Sequence, residues 1–276
     1  MSSKIERESA WTTHADVLLA SVGERGVLCG FYDEDATDTY QDLMQDTGGT
    51  SQAREFATRI RSVSGPVLEL AAGTGRLTIP LLDLGREVTA LELSTAMLAI
   101  LRRRLEGAPA RLRDRCTVVQ GDMSAFALEK RFGVVVLDQS IAILDDAGRP
   151  GLYASVREHL APDGKFLLSM ADADAAEAEP PERYQEMSGG SGRKYVLHER
   201  LVPGEKIREV TIYPADETLD PFVVCTSRFR LLKVDQIVRE LGQAGFDVIA
   251  RTPLAFAGRR HRDVFMLEAS PRSDSS

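Results

Sequence analysis

The stretch VLELAAGTGRLTIPLL at residues 67–82 places strong limits on the fold of this chain. It begins as an apolar run typical of a β-strand, breaks at Gly73 and Gly75, and continues as a helical pattern over about residues 76–84. A strand, a glycine loop and a helix start in this order bind ligands at the free N–H groups of the helix. The acid inside the strand, Glu69, is an unusual neighbour for a phosphate group.

Strands and helices alternate around this loop. Strands made almost entirely of Val, Leu and Ile are buried on both faces, as in a parallel sheet covered by helices. The predicted strands are PVLELA, EVTALEL, CTVVQGD, GVVVLDQ and GKFLLSMA, and the predicted helices are Thr13 to Val22, TSQAREFATRIRSV, STAMLAILRRRLEG and GRPGLYASVREHLA. Ser94 is expected to cap the third of these helices. The pattern predicts an α/β fold of the doubly wound kind.

The pattern changes after Ala171. The segment ADADAAEAEPPE has the composition of a linker, and KYVLHERLV and KIREVTIYP alternate as a hairpin would, with Pro203 and Gly204 at its turn. The stretch VVCTSRFRLL adds a further strand, after which helix KVDQIVRELGQAGF and strands DVIARTPL and DVFMLEAS return to the main sheet. The sequence therefore predicts a small antiparallel insertion near the carboxyl edge of the main sheet.

Composition excludes several classes of function. A formal net charge of −8 argues against general binding of nucleic acid, so the arginine-rich stretch at 102–115 is expected to be a solvated surface. No apolar run reaches the length of a membrane span, and the first residues lack the apolar core of a signal peptide. Cys29, Cys116 and Cys225 are scattered, so we expect reduced thiols, no metal site and a cytoplasmic location.

The glycine loop by itself does not identify its ligand. A dinucleotide fingerprint needs a third glycine, whereas Gly73-Thr74-Gly75 is followed by Leu77 and Thr78, with no third glycine. A phosphate-binding loop of the P-loop kind needs a Lys after its last glycine, and none follows here. An NAD-dependent oxidoreductase is therefore a poor fit.

Acidic and sulfur-containing side chains near the ends of the next strands indicate which ligand the loop binds. Glu92 ends the second strand of the core, where an acid accepts hydrogen bonds from both ribose hydroxyls. Asp122 ends the third strand, in position for an adenine amino group, with Met123 beside the ring and Met97 able to cover its other face. These residues predict an adenosine that carries a cationic group, with Glu69 close to an ammonium-bearing tail.

With these motifs in order, the chain resembles the class I S-adenosylmethionine (SAM)-dependent methyltransferases. The matching segments are VLELAAGTGRLTIPL, VTALELSTAML, VVQGDMSAFAL, FGVVVLDQSIAIL and LAPDGKFLLSM, so the resemblance covers residues 40–170 well and continues in outline to 268. It implies a Rossmann-like seven-stranded sheet with the small antiparallel insertion, and SAM as the cofactor. Ala71 departs from the family, which usually has the first glycine of its loop there.

The resemblance also implies a set of cofactor-binding residues. The segment YQDLMQD followed by Arg54 resembles the N-terminal part of amino-sugar N,N-dimethyltransferases, in which Tyr40 would close over the cofactor and Arg54 would pair with its methionyl carboxylate. The cofactor-binding residues expected on this basis are Tyr40, Arg54, Glu69, Ala71, Gly73, Thr74, Gly75, Glu92, Leu93, Met97, Asp122, Met123 and Asp138.

Candidates for catalysis are Asp138, Tyr32 and His261. Asp138 opens the segment Asp138-Gln139-Ser140 at the end of the fourth core strand, where the family keeps residues near the transferred methyl group. Other roles stay open: Asp138 as a turn cap, Tyr32 and Tyr40 as core anchors, and the histidine as a structural residue.

The predicted organisation is an N-terminal lid segment (1–50), a SAM-binding core (51–171), an antiparallel insertion over the acceptor site (172–228), the C-terminal part of the core sheet (229–270) and a disordered tail (271–276). We expect N-methylation of an amine in a small molecule or peptide natural product, by in-line displacement. The whole chain also resembles, more weakly, methyltransferases that act on ribosomally made daptide peptides. Alternatives are O- or C-methylation of a small metabolite, and methylation of RNA or protein; we expect neither a nucleic-acid partner nor a membrane.

Overall fold

The computed structural model describes residues 13–44, 49–174, 180–254 and 264–272. The predictions for His261 and for most of the tail lie outside the described residues. Within them, the helices are α1 (His14–Val22), α2 (Thr37–Met44), α3 (Gly49–Ile60), α4 (Thr78–Asp83), α5 (Thr95–Glu106), α6 (Ala110–Arg113), α7 (Gly148–His159) and α8 (Val234–Gln243). No described helix has the length and apolar character needed to cross a membrane.

The described strands form two sheets. They are β1 (Gly26–Gly30), β2 (Val67–Leu70), β3 (Val88–Glu92), β4 (Cys116–Gln120), β5 (Phe132–Asp138), β6 (Leu160–Ala171), β7 (Glu182–Ser188), β8 (Lys194–Leu201), β9 (Ile207–Pro214), β10 (Phe222–Arg230), β11 (Phe246–Leu254) and β12 (Val264–Pro271).

The larger sheet has seven strands in the order β11-β12-β6-β5-β2-β3-β4. Strands β2 to β6 run parallel to one another, whereas β12 is antiparallel to both β6 and β11. Strand β2 lies in the middle, between β3 and β5, so the carboxyl ends of these three strands meet at one edge. The predicted fold class is confirmed, and this edge holds the loop that follows β2.

Packing explains why the central strands are apolar along their whole length. Leu68 and Leu70 of β2 join one buried cluster with α7 and α8, and Val67 joins another with α3, α4 and α5. Alternate side chains of a strand point to opposite faces, so a strand with helices on both sides has no solvated face. The acid Glu69 is the exception within β2 and is buried as well.

The smaller sheet has five strands in the order β1-β10-β9-β8-β7. The predicted hairpin is present between β8 and β9, and the N–H of Val202 donates to the carbonyl of Ile207 (2.9 Å) across the turn that contains Gly204. Two strands of this sheet were not predicted. Strand β7 is a largely exposed edge strand without an apolar face, and β1 pairs in parallel with β10, which lies almost two hundred residues further along the chain.

Two helix starts follow from local side chains. Thr13 caps α1, because its hydroxyl accepts from the N–H of Asp16 (3.1 Å) while the Asp16 carboxylate accepts from the N–H of Thr13 (2.9 Å). Ser94 caps α5 as predicted, accepting from the N–H of Met97 (3.2 Å). Helix α4 begins two residues later than predicted, at Thr78, because the chain from Ala71 to Gly75 is a tight turn with left-handed residues.

Candidate active site

The loop after β2 is held in an unusual backbone conformation. Ala71, Gly73 and Gly75 have positive φ angles of 52°, 56° and 85°. A Cβ added to Gly75 would lie 2.4 Å from Cδ1 of Leu101, whereas one added to Gly73 would meet nothing closer than the Tyr40 hydroxyl, at 3.9 Å. The positive φ and the contact with Leu101 together favour glycine at position 75. At position 73 the backbone borders open space, as expected where a ligand approaches the loop.

Glu92, at the end of β3, ties this loop to the start of α5. One carboxylate oxygen accepts from the N–H of Gly73 (2.9 Å) and the other from the N–H of Ser94 (2.8 Å). The side chain is 8% exposed, so the acid is fixed at the strand end with its charge directed at backbone donors. Its contact with ribose remains a prediction, and so does any contact of Leu93, whose side chain is 61% exposed.

Glu69 is a buried acid directly beneath the loop. The hydroxyl of Thr78 donates to its carboxylate (2.6 Å), and burial raises the pKa of Glu69 to about 8, with the nearby charges of Asp138 and Glu92 acting in the same direction. A buried acid with a raised pKa is ionised more readily when a cation binds beside it. The arrangement therefore suits a positively charged ligand and disfavours a phosphate.

Asp138 ends β5 and is held from two sides. The Ser169 hydroxyl on β6 donates to one carboxylate oxygen, and Nη2 of Arg76 donates to the other (3.1 Å). Burial raises the pKa of Asp138, and the Arg76 guanidinium opposes that rise. The next residue, Gln139, has a left-handed φ of 56°, and its N–H donates to the Ser169 hydroxyl (3.1 Å). A strained non-glycine residue of this kind is common at functional sites.

Arg76 is the site residue that the sequence reasoning missed. It follows Gly75 directly, and its side chain is 35% exposed. Its positive charge also lowers the pKa values of Glu69 and Tyr40 against the effect of their burial. The sequence did contain a signal for this residue: a cationic side chain directly follows the second glycine of the loop, whereas the other charged residues predicted there are mostly acids.

Tyr40 of the N-terminal segment lies beside the loop, and Tyr32 of the same segment packs next to Tyr40. The rings of Tyr32 and Tyr40 are 6.1 Å apart, and burial raises the pKa of both phenols. The carbonyl of Tyr32 accepts from the hydroxyl of Ser94 (2.6 Å), which ties this segment to the start of α5. Both tyrosines also pack against a buried cluster that includes Val210 of the smaller sheet. The structure thus brings Tyr40 to the glycine loop, close to Gly73.

The residues predicted around adenine differ in exposure. Asp122 is exposed, and its Oδ1 accepts from both the N–H and the hydroxyl of Ser124 (2.7 Å each). Met123 is 8% exposed and packs in the main core, and Met97 is fully buried. Their contacts with adenine remain predictions.

Two further predicted residues have contacts away from the acidic cluster. Arg54 is exposed on α3, where its carbonyl accepts from the hydroxyl of Thr58 (2.9 Å), and its pairing with the cofactor carboxylate remains a prediction. Thr74 is 8% exposed, and its carbonyl accepts from Nη1 of Arg104 (2.8 Å). Within the described part of the chain, no group of three or more His, Cys, Asp or Glu side chains could hold a metal ion.

These residues fit an adenosyl ligand with a positive charge. The backbone at Gly73 is open to close approach, and the acids Glu69, Glu92 and Asp138 meet at the ends of three adjacent strands. Ligands of open α/β sheets bind at this edge, outside the carboxyl ends of the strands. Ionised acids at this edge would repel a diphosphate and attract a sulfonium or an ammonium group, and a cation beside Glu69 favours its ionised form.

Comparison with known proteins gives the same class. The model of the methyltransferase domain family matches residues 67–164. A crystal structure of the glycopeptide N-methyltransferase MtfA with sinefungin is 63% identical, with a TM-score of 0.68, over 95% of this chain and 98% of that chain. MtfA with SAM is 62% identical, over the same shares of the two chains, with a TM-score of 0.67.

Other proteins are similar to this chain at lower sequence identity or over a shorter segment. The CcbJ methyltransferase of Streptomyces caelestis is 22% identical, with a TM-score of 0.75 over 88% of this chain and 99% of that chain, which supports the fold alone. A ribosomal RNA small subunit methyltransferase of Arabidopsis thaliana is 43% identical over 70 residues, which are 25% of this chain. That match spans 19% of the length of the Arabidopsis protein.

The fold, the acidic site and the similarity to MtfA define the class of the protein. The chain belongs to the class I SAM-dependent methyltransferases. It is an enzyme, and its cofactor is SAM.

Proposed function

We propose that this enzyme N-methylates an amine of a glycopeptide or a closely related peptide natural product. One observation carries the proposal: the chain is 63% identical to the glycopeptide N-methyltransferase MtfA over 98% of the length of that protein. Identity at this level extends well beyond the cofactor loop, into the N-terminal segment and the smaller sheet that we propose contact the acceptor. Sugar and other natural-product methyltransferases of lower identity support only the shared fold.

The proposed chemistry needs a neutral nitrogen. SAM supplies a methyl group on a cationic sulfur; the nitrogen lone pair forms the new N–C bond while the C–S bond breaks and its electron pair returns to sulfur. An amine is mostly protonated near neutral pH, so a group that accepts its proton raises the reactive fraction. We assign this task to Asp138, directly or through a water, because the acid ends β5 beside the strained Gln139.

The remaining predicted residues keep their proposed roles towards the cofactor. We propose that Gly73 and Glu92 contact the adenosyl part, that Glu69 lies near its ammonium group, and that Tyr40 closes over it. We also propose that residues 1–50 and 172–228 wall the acceptor site. Tyr32, Tyr40 and Phe229 of β10 pack against the same buried cluster, which supports this arrangement. The hydrogen bond from Arg230 to the carbonyl of Ile143 (3.1 Å), five residues beyond Asp138, supports it as well.

The experiment is a methylation assay with purified enzyme, labelled SAM and a glycopeptide that has a free amine, followed by tandem mass spectrometry. We expect a labelled methyl group on nitrogen. The matched control is the same glycopeptide with its amines acetylated, which should accept no label. Label on a hydroxyl or a ring carbon instead would refute N-methylation and support O- or C-methylation.

The structure offers less support for RNA as a substrate. The match to the ribosomal RNA methyltransferase is confined to 70 residues, and the chain carries a net charge of −8. Because phosphate contacts require a positive surface, we retain RNA only as the less favoured acceptor.

The free thiols of Cys29, Cys116 and Cys225 agree with a reducing compartment, and we propose that the enzyme works in the cytoplasm.

A further inference from the structure

Three elements meet at the carboxylate of Asp138. Arg76 reaches it from the loop after β2 (Nη2 to Oδ2, 3.1 Å), and the hydroxyl of Ser169 reaches it from β6. The Ser169 hydroxyl also accepts from the N–H of Gln139 (3.1 Å), so the same side chain fixes the acid and the strained residue that follows it. The orientation of Asp138 is therefore set by groups on both of its sides.

We propose that Arg76 is a positioning residue that holds Asp138 ionised and directed towards the acceptor amine. This role deepens the proposed function and rests on it, because it concerns the acid to which we assign the acceptor proton. In this role, Asp138 takes a proton from the acceptor ammonium and releases it to solvent, and the lone pair that remains on nitrogen attacks the methyl group.

The charges around Asp138 show why a cation is needed there. Burial disfavours the ionised form of Asp138, and the carboxylate of Glu69 and the phenol of Tyr40 face the same space. A guanidinium in contact favours the ionised form of a carboxyl group and so opposes the effect of burial. Arg76 supplies that positive charge, together with a hydrogen bond to Oδ2.

The position of Arg76 also connects the two halves of the site. It follows Gly75, in the loop that we assign to the cofactor, and its side chain crosses to the end of β5. A movement of the loop on cofactor binding would therefore be felt at Asp138. This connection distinguishes Arg76 from Arg104, which donates to the carbonyl of Thr74 in the same loop (2.8 Å).

The test measures the titration of Asp138 directly. In enzyme labelled with carbon-13 at the Asp carboxyl carbons, the Asp138 resonance is identified by its loss in Asp138→Asn and followed against pH by NMR, without cofactor or acceptor. We expect Arg76→Gln to raise its midpoint by roughly one to two pH units, the size of effect that an adjacent arginine has on an aspartate. Arg76→Lys keeps the positive charge, so its Asp138 midpoint should lie close to that of the native chain. Ser169→Ala removes the other donor and should raise the midpoint by a smaller amount.

The pH dependence of kcat/KM supplies the functional measurement. Its acid limb should move to higher pH in Arg76→Gln by the same amount as the NMR midpoint. Arg104→Gln is the matched control: it removes an arginine of α5 that donates to the same loop, and it should leave both midpoints in place.

An Asp138 midpoint that is the same in the native chain and in Arg76→Gln would overturn the proposed role of Arg76. A changed KM for SAM with an unmoved acid limb would also overturn it, and would make Arg76 a cofactor ligand only. The NMR titration uses no acceptor, so its result does not depend on whether a glycopeptide is the substrate.

Discussion

The buried acid Glu69 makes a quantitative prediction about stability. Its pKa is raised from an ordinary value of 4.5 to about 8, chiefly by burial. Between these two values the folded chain holds a proton that the unfolded chain has lost, so the free energy of unfolding falls as pH rises. At about 1.4 kcal/mol per pKa unit, the complete loss is about 5 kcal/mol, of which about 3 kcal/mol falls between about pH 6 and about pH 9.

The substitution Glu69→Gln isolates this effect. Glutamine is neutral and nearly the same size, and its amide oxygen can still accept from the Thr78 hydroxyl. The variant should therefore lack the loss that the native chain shows. The difference in free energy of unfolding, variant minus native, should increase by about 3 kcal/mol between about pH 6 and about pH 9. Urea unfolding of both proteins at several pH values measures this difference, and the comparison cancels the titration of all other groups.

Two controls sharpen the test. Glu106→Gln removes an exposed acid at the end of α5 and should change the free energy of unfolding by less than about 0.5 kcal/mol. Because a cation beside Glu69 favours its ionised form, saturating SAM should make the stability of the native chain less dependent on pH. Parallel curves of stability against pH for the native chain and Glu69→Gln would refute the reasoning, since the acid would then titrate as it does in the unfolded chain.

Three further predictions concern the loop, the cofactor and the thiols. Gly75→Ala should lower the free energy of unfolding by roughly 2 kcal/mol or more in urea titrations, because the φ of 85° is strained for alanine and its Cβ would lie 2.4 Å from Cδ1 of Leu101. Glu92→Ala should raise the dissociation constant of SAM about tenfold or more, since a charged hydrogen bond contributes about 1.5 to 3 kcal/mol; unchanged titration calorimetry would remove the ribose contact. Cys29 and Cys225 should stay reduced under diamide in the folded chain although their sulfur atoms are 3.6 Å apart, because both are buried and the contact with Cys225 and burial raise the pKa of the Cys29 thiol; peptide mapping that finds them joined would contradict this.

Much of the fold could be predicted because its signals are local. The central strands are apolar on both faces, Ser94 stands directly before a helical pattern, and glycines mark the turn after β2. The placement of Glu92 also follows from local order, since parallel strands bring their carboxyl ends to one edge. Each of these inferences needs only the neighbours of a residue along the chain.

Two features that could not be predicted from the sequence, strand β1 and the full burial of Met97, depend on contacts between distant segments. The strand Gly26–Gly30 has neither length nor alternation, and it is a strand because it pairs with β10. Met97 has the spacing of a residue that could cover adenine, and only the packed structure shows that it is fully buried.

The class of the enzyme follows from the sequence, because the strand, the glycine loop and the strand-end acids succeed one another along the chain. The ionisation of those acids, by contrast, is a property of the folded chain. The ionisation of Glu69 and Asp138 depends on burial and on the position of Arg76, which reaches Asp138 across 62 residues of sequence. Desolvation and Coulomb interactions depend on distances in space, and these exist only once the chain has folded.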